Sequence, residues 1–200
     1  MAKLLIHTEQ TPFTVNLPET DLMTHEQFSR FCLANRDLQI ERNANGEVII
    51  MPPAFADTGN RNVKIAQQLA NWSDQDGTGE TFDSSAGFTL KNGATRSPDA
   101  SWMRMDRWHS LTDTEQASFS SVCPDFVIEL RSASDTLVSL QSKMVEYLAS
   151  GAVMGWLIDR KSRSLHIYRP SREPEILVNP ETVSGDPELP GFILQMAKIW

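Results

Sequence analysis

The chain has 200 residues, 40% of them hydrophobic and 22% charged, which is enough to bury a full core and predicts a single domain over residues 1–200. Its formal net charge of −8 argues against the basic surface that most nucleic-acid-binding proteins carry, although carboxylates gathered in a metal site would account for part of that charge. The two well-separated cysteines, Cys32 and Cys123, fit neither a disulfide framework nor a zinc site with paired cysteine ligands.

The sequence gives no sign of export or of membrane insertion. The first stretch, Met1–Thr8, lacks the longer apolar segment and the small-residue cleavage site of a signal peptide. No later run approaches the roughly 20 apolar residues that span a bilayer as a helix. We therefore expect a cytoplasmic protein with no membrane partner.

A helix followed by a hairpin is predicted near the N-terminus. Thr24 has the capping-box spacing to a glutamine three residues later, which predicts a helix over His25–Asn35. Asn45-Gly46 is a strong turn signal, and the apolar residues on either side of it predict strands over 38–41 and 47–51.

A second helix and a second hairpin are predicted next. Apolar residues at helical spacing predict an amphipathic helix over 60–73. Residues 81–90 and 94–103 are rich in strand-forming residues and flank the turn sequence 91–93, which predicts the hairpin.

The second half of the chain begins with an apolar run that contains a single acid. Residues 125–130 have the composition of a strand that is buried on both faces. Ser134 or Asp135 is expected to cap the helix that follows, and Gly151 is placed to close that helix in the left-handed conformation.

Strands over 152–159 and 164–168 complete the predicted elements, and the proline-containing tail is expected to be loop-rich until about Phe192. The order of elements predicts a mixed α/β fold, built in layers around one sheet. We expect its core to cover about 24–169, with residues 170–200 as a C-terminal extension.

Glu129 is the most informative residue, because a carboxylate inside a buried strand must be ligated, paired or protonated to offset its lost hydration. The two-residue period of a strand places it on the same face as Val127 and Arg131. A buried pair of Glu129 with an arginine is the alternative to a functional role.

Asp99 supplies a second acid, directly after Pro98 at the start of an extended segment. Taken alone, the Pro-Asp pair is more typical of an ordinary turn. Together with Glu129, it predicts two oxygen ligands at one edge of a sheet, and such ligands suit Mg²⁺ or Mn²⁺.

Lys143 is the third chemical group. It borders the apolar stripe of its helix, three residues after Leu140 and four before Tyr147, so its ammonium can reach toward the sheet. The alternative is a surface lysine that buries only its aliphatic stem.

These motifs, taken in order, resemble the Uma-two family of restriction-endonuclease-like proteins in the PD-(D/E)xK nuclease superfamily. The resemblance covers about 24–169 and the closing Leu-Pro-Gly-Phe192. The segments that carry it are Glu41, Gly-Glu-Val-Ile-Ile-Met-Pro-Pro53, Gly59-Asn-Arg-Asn62, Ser-Pro-Asp99, Phe-Val-Ile-Glu129-Leu-Arg-Ser, Ser-Asp135, Lys143, Tyr147, Gly151, Gly-Trp-Leu-Ile-Asp159 and Leu-His-Ile-Tyr168.

The resemblance implies a restriction-endonuclease-like fold, with a central mixed β-sheet flanked by helices. It also implies a nuclease that depends on Mg²⁺ or Mn²⁺ and hydrolyses phosphodiester bonds, with DNA as the expected substrate. The implied metal ligands are Asp99, Glu129 and the backbone carbonyl of Leu130. Lys143 would orient the attacking water or stabilise developing charge, and Glu41 would complete the metal shell or hold a water.

One position departs from the superfamily pattern. The lysine usually stands two residues after the second acid, and this chain has Arg131 there. Arginine stays protonated and is a poor substitute for a lysine ammonium whose pKa can be tuned. The resemblance assigns the lysine role to Lys143 in the following helix instead.

The competing interpretation is a catalytically inactive binding module on the same fold. In that case Asp99, Glu129 and Lys143 would form a buried ion-pair network. Other enzyme classes fit less well, because the four histidines show no metal spacing and there is no nucleophile elbow or phosphate-binding loop. For an active nuclease, a homodimer is one arrangement that suits the cutting of two strands.

Overall fold

The computed structural model describes residues 13–15 and 23–200. The Met1–Thr8 stretch considered above lies outside the described residues. No helix in the described part of the chain combines the length and the hydropathy needed to cross a bilayer.

The helices are α1 His25–Ala34, α2 Ala56–Asp76, α3 Met105–Trp108, α4 Asp113–Gln116, α5 Leu137–Ser150 and a 3-10 turn Met196–Lys198. The strands are β1 Phe13–Val15, β2 Gln39–Arg42, β3 Val48–Met51, β4 Gly79–Asp83, β5 Phe88–Thr89, β6 Thr95–Arg96, β7 Ala100–Arg104, β8 Phe126–Leu130, β9 Met154–Asp159, β10 Ser164–Tyr168, β11 Glu175–Val178, β12 Thr182–Ser184 and β13 Ile193–Gln195.

A six-stranded mixed sheet, in the order β11-β10-β9-β8-β7-β4, forms the centre of the fold. Strands β8 and β9 run parallel, and the other neighbours are antiparallel. Helix α2 packs on one face, where Ile65 and Leu69 contact the cluster that contains Phe126 and Ile128 of β8. Helix α5 packs on the other face around Val127. The predicted fold class, a mixed sheet flanked by helices, is confirmed.

Every residue of β8 is buried, so the prediction of a strand enclosed on both faces is correct. Because side chains alternate along a strand, Val127 and Glu129 both project toward α5. The strand register therefore directs the side chain of Glu129, the one acid of β8, toward the helix that carries Lys143.

The expectation of one sheet is wrong, because the strands divide among three sheets. A five-stranded sheet has the order β1-β3-β2-β6-β5, and β12 and β13 form a separate pair. In the predicted second hairpin, β5 pairs with β6 as expected, but β4 pairs with β7 in the central sheet. The turn after Asp83 and the missing N–H of Pro98 interrupt the ladder between the two pairs. The chain changes sheets at these two points.

Most local signals act as predicted. Thr24 and Gln27 form the capping box of α1, and Gly46 adopts a φ of 82° in the turn between β2 and β3. Gly151 closes α5 with a φ of 117°. Helix α2 extends beyond the predicted 60–73 at both ends and stops at the left-handed Gly77.

The predicted cap of α5 is wrong. Thr136 is the N-cap, and its hydroxyl accepts a hydrogen bond from the Ser139 N–H at 3.1 Å. Asp135 instead accepts from the Ser132 N–H at 2.8 Å, so its carboxylate closes the loop that precedes the helix. Ser134 is likewise engaged in this loop, through Ser132 Oγ.

The C-terminal segment belongs to the core, which corrects the predicted core boundary at residue 169. Strand β11 adds to the central sheet beside β10. Phe192 is buried and stacks on Trp156 with ring centroids 5.6 Å apart. The prolines of this segment do indicate loops, but the apolar residues between them pack on the α2 side of the sheet: Val183, Leu189, Phe192, Leu194, Met196 and Ile199.

Candidate active site

Asp99 lies at the edge of the central sheet, where the chain enters β7. Ala100 pairs with Ile128, and continuing this antiparallel register by one residue places Asp99 opposite Glu129. Asp99 Oδ2 accepts the backbone N–H of Leu130 at 2.7 Å, and Oδ1 accepts from Asn62 Nδ2 at 2.7 Å. The carboxylate is therefore held from β8 on one side and from α2 on the other.

Glu129 is buried and faces α5. Its Oε1 accepts hydrogen bonds from the Tyr147 hydroxyl at 2.9 Å and from Lys143 Nζ at 3.4 Å. Both donors come from α5. The alternative of a buried Glu129–arginine pair is wrong.

Lys143 points inward between two carboxylates. Its Nζ lies 3.0 Å from Glu41 Oε1 and 3.4 Å from Glu129 Oε1, and only 15% of its side chain is exposed. The alternative of a lysine with its ammonium in solvent is therefore wrong.

Glu41 is brought to the site by β2, a strand of the second sheet. Its side chain is buried, and it accepts from the Ser97 N–H at 3.1 Å and from Arg96 Nη1 at 3.0 Å. Arg96 in turn contacts Glu146 of α5 at 2.6 Å through Nε. These contacts hold the Glu41 carboxylate in the position where it also contacts Lys143.

All four predicted side chains line one cleft of about 250 Å³ between the two larger sheets and the ends of α2 and α5. The predicted residues that the structure brings together are Glu41, Asp99, Glu129, Leu130 and Lys143.

Three further side chains support this cluster without having been assigned a role from the sequence. Asn62 lies within the Gly59-Asn-Arg-Asn62 motif of the family resemblance, but the motif does not predict its hydrogen bond to Asp99. Tyr147 belongs both to the apolar stripe of α5 and to the family resemblance, but neither predicts its hydrogen bond to Glu129. Arg96 had no distinguishing signal, because its partners Glu41 and Glu146 are distant in sequence.

The two acids on the central sheet are harder to ionise than ordinary carboxylates. Burial raises the pKa of Glu129 to about 7, since lost hydration, together with Asp99 and Glu41 nearby, outweighs the attraction of Lys143. Burial likewise raises the pKa of Asp99 to about 6, despite the hydrogen bond from Leu130. Both groups release their protons in the range where a cation would compete for them.

The other members of the cluster keep their charges. Burial by itself would raise the pKa of Glu41, but Lys143 and Arg96 bring it below its ordinary value. Burial lowers the pKa of Lys143, yet Glu129 and Glu41 raise it above the ordinary value overall. Lys143 is therefore a permanent cation at neutral pH and is unsuited to act as a general base.

Oxygen atoms at the edge of the sheet fit a divalent cation. Continuing the β7–β8 register places Leu130 opposite Pro98, which has no N–H to donate to the Leu130 carbonyl. Within the described residues, no hydrogen bond reaches Glu129 Oε2. Acidic side chains also outnumber cationic ones in the cleft: among the described residues that line it, Glu41, Asp99, Glu129 and Asp135 are acidic and Lys143 is cationic. Such an excess of carboxylates favours a bound cation.

Within residues 13–15 and 23–200, no three His, Cys, Asp or Glu side chains converge on a point that would hold a metal. The predicted ligand set contains only two such side chains, Asp99 and Glu129. It therefore depends on the Leu130 carbonyl and on water to complete the coordination of a hard cation.

Arg131 lies outside the cleft, although it occupies the usual lysine position of the superfamily pattern. Its Nη1 donates to Asp159 Oδ2 at 2.8 Å, and its Nε donates to the Asp135 carbonyl at 3.3 Å. Asp159 is buried, and it also accepts from Lys161 N and Ser162 Oγ. Arg131 therefore neutralises a structural acid.

We predict that Arg131→Met lowers the free energy of unfolding by about 1–3 kcal/mol, because the buried Asp159 loses its cation. Arg131→Lys should leave any hydrolytic rate within about twofold, because this side chain does not line the cleft. Urea unfolding and an activity assay measure the two effects, and Arg30→Met, at an exposed ion pair, is the matched control. A large loss of activity in a fully stable Arg131→Lys protein would contradict the assignment.

Comparison with known proteins agrees with this architecture. The Uma2 family model, described as "Putative restriction endonuclease", matches residues 25–197. A solved structure of "a putative nuclease belonging to DUF820" from Anabaena variabilis ATCC 29413 is similar, with a TM-score of 0.68 and 19% sequence identity. The match covers 80% of this chain and 88% of that chain, and at this identity it shows the shared fold. The curated proteins contain no match. Because the family model spans most of the sequence, the chain belongs to the Uma2 family, whose members are described as putative restriction endonucleases.

Proposed function

We propose that the protein is a divalent-metal-dependent nuclease that hydrolyses phosphodiester bonds in DNA. One observation carries this proposal: Asp99, Glu129 and Lys143 line the same cleft, and Glu41 contacts the lysine. Membership of the Uma2 family supports the same reaction class.

The metal in this proposal is Mg²⁺ or Mn²⁺, held by Asp99, by Glu129 and by the Leu130 carbonyl. Each carboxylate oxygen of Asp99 accepts one hydrogen bond, which leaves a second lone pair on each for a cation. When bound, such an ion would polarise the scissile phosphate and acidify a water.

The side chains of this chain supply positioning and charge. Asn62 and the Leu130 N–H orient Asp99, and Tyr147 orients Glu129 through Oε1. The Lys143 ammonium, fixed between Glu41 and Glu129, is placed to stabilise the negative charge that develops on the phosphate during attack. Because its raised pKa keeps it protonated, Lys143 would act through charge and hydrogen bonding.

An inactive binding module is the second candidate, and one observation favours it. Lys143 contacts both Glu41 and Glu129, so an ion-pair network closes without any ion. Under this alternative, Lys143→Met would destabilise the fold, and divalent ions would change neither stability nor any activity.

The proposal is tested by incubating the full chain with labelled single-stranded DNA, duplex DNA and RNA, in Mg²⁺, in Mn²⁺ and in EDTA. We expect metal-dependent cleavage by the native chain and at least a hundredfold loss in Asp99→Asn. Asp74→Asn, at an exposed acid of α2, is the matched control and should cleave normally. Absence of cleavage on all substrates with both ions would refute the nuclease and favour the binding module.

A further inference from the structure

We infer that the first turn of α2 is a nucleotide-binding subsite of the cleft. In this proposal the turn binds a phosphate of the substrate strand, and the Phe55 ring stacks on an unpaired base beside it. The preferred substrate would then be a single strand or a locally unpaired site in a duplex. This inference rests on the proposed nuclease function and deepens it.

The cleft needs a source of phosphate affinity, because its side chains are mainly acidic. Glu41, Asp99, Glu129 and Asp135 line it, and Lys143 is the sole cationic side chain among the lining residues that the structure describes. Lys143 already contacts two carboxylates. Surfaces that bind duplex DNA usually hold its phosphates with several lysine and arginine side chains. The side chains of this cleft do not provide that positive charge.

The N-terminus of α2 supplies backbone donors at the mouth of the cleft. The helix has 21 residues, and its N-cap residue Phe55 provides no side-chain hydrogen bond. The first intrahelical bond runs from Gly59 N to Phe55 O, so the N–H groups of residues 56–58 have no helical acceptor. Free N–H groups and the positive end of the helix dipole together favour a phosphate oxygen.

The Thr58 side chain points to a ligand independently of the N-terminus of α2. It is only 8% exposed, and its side chain lines the same cleft. A buried helical threonine usually returns its hydroxyl proton to a carbonyl one turn earlier. Within the described residues, the Thr58 hydroxyl makes no hydrogen bond, which leaves it available to donate to a group in the cleft.

The charges next to this turn also suit an anion. Asp57, the acid of the first turn, is paired with Arg61 and with Arg160, whose Nη1 lies 2.7 Å from Asp57 Oδ2. Two guanidinium groups therefore face one carboxylate. The one acid of this turn is thereby neutralised, so it does not oppose an anion there as the carboxylates inside the cleft do.

Phe55 supplies the surface for a base. Its side chain is 75% exposed although it lines the cleft, and it directly precedes the donor turn. The Pro52-Pro53 pair precedes it and restricts the backbone that presents the ring. An exposed aromatic ring beside a phosphate-binding turn is the combination by which proteins hold unpaired nucleotides.

The test measures binding of a fluorescein-labelled single-stranded oligonucleotide and of a duplex of the same sequence, in Mn²⁺. The Glu129→Gln background prevents cleavage during the titration. Phe55→Leu and Thr58→Val should each weaken single-strand binding by about tenfold, and duplex binding should change little. Phe55→Trp and Thr58→Ser should retain affinity, because they keep the ring and the hydroxyl. Val178→Ala, at an exposed residue of β11, is the control.

The outcomes separate this inference from the nuclease proposal. If the native chain cleaves DNA but Phe55→Leu and Thr58→Val bind and cleave normally, the subsite is refuted and the nuclease stands. If no cleavage occurs but binding depends on both residues, the subsite is supported and the nuclease fails. Equal losses in Thr58→Val and Thr58→Ser would refute the hydroxyl contact, because packing alone would then explain them.

Discussion

Glu129→Gln is expected to lower metal-dependent cleavage by about a thousandfold or more while leaving the protein at least as stable as the native chain near pH 8. The amide removes a ligand charge from the site, and loss of several kcal/mol of transition-state stabilisation corresponds to a rate change of this size. Single-turnover cleavage and thermal unfolding measure the two effects.

Stability should survive because the surroundings of Glu129 accept a neutral group. A glutamine oxygen can still accept from Tyr147, and Lys143 retains Glu41 as its partner. The substitution also removes a buried charge that lies near Asp99 and Glu41. Glu80→Gln, at an exposed acid of β4, is the control. Cleavage within tenfold of native would show that Glu129 is not in the reacting centre.

Much of the fold could be predicted because its strongest signals are local. The capping box at Thr24, the Asn45-Gly46 turn and Gly151 each determine the backbone within a few residues of themselves. The uninterrupted apolar run of β8 also identified a strand that neighbours cover on both faces. These signals place α1, the first hairpin, β8 and α5.

The pairing of distant segments could not be read in this way. Strand β2 pairs with β6 through Arg42 and Thr95, and this contact between the hairpins separates β5–β6 from the central sheet. No local pattern distinguishes that arrangement from one continuous sheet. The apolar residues of the C-terminal segment give a similarly weak signal, because they come in groups of one to three residues separated by prolines and turns.

In the candidate site too, some residues have a local sequence signal, whereas the contacts between distant residues have none. Glu129 was conspicuous because an acid in an apolar strand contradicts its surroundings, and Lys143 because it borders an apolar stripe. The contacts of Glu41 with Arg96 and of Asn62 with Asp99 join residues that are 55 and 37 positions apart. Such contacts depend on the assembled tertiary structure, so sequence spacing carries no information about them.

The pH dependence of stability gives the second large expected effect. Burial raises the pKa of Glu129 from an ordinary 4.5 to about 7, so the folded state favours its protonated form. The stability that this group contributes is full below about pH 4.5 and is lost as the pH rises through 7. Asp99, with a pKa of about 6, acts in the same direction. In metal-free buffer, Glu129→Gln should therefore gain on the native chain between about pH 5 and pH 8, by on the order of 3 kcal/mol.

A divalent ion should reverse this loss, because it binds the deprotonated carboxylates. Mn²⁺ at about 100 times its dissociation constant should stabilise the native chain by about 2.7 kcal/mol near pH 8, and by much less near pH 5, where protons occupy the ligands. Asp99→Asn should show little stabilisation at either pH, whereas Asp74→Asn should respond like the native chain. Thermal unfolding with and without Mn²⁺ measures these differences. An equal response at both pH values, or in Asp99→Asn, would place the ion elsewhere on the protein and separate the raised pKa values from metal binding.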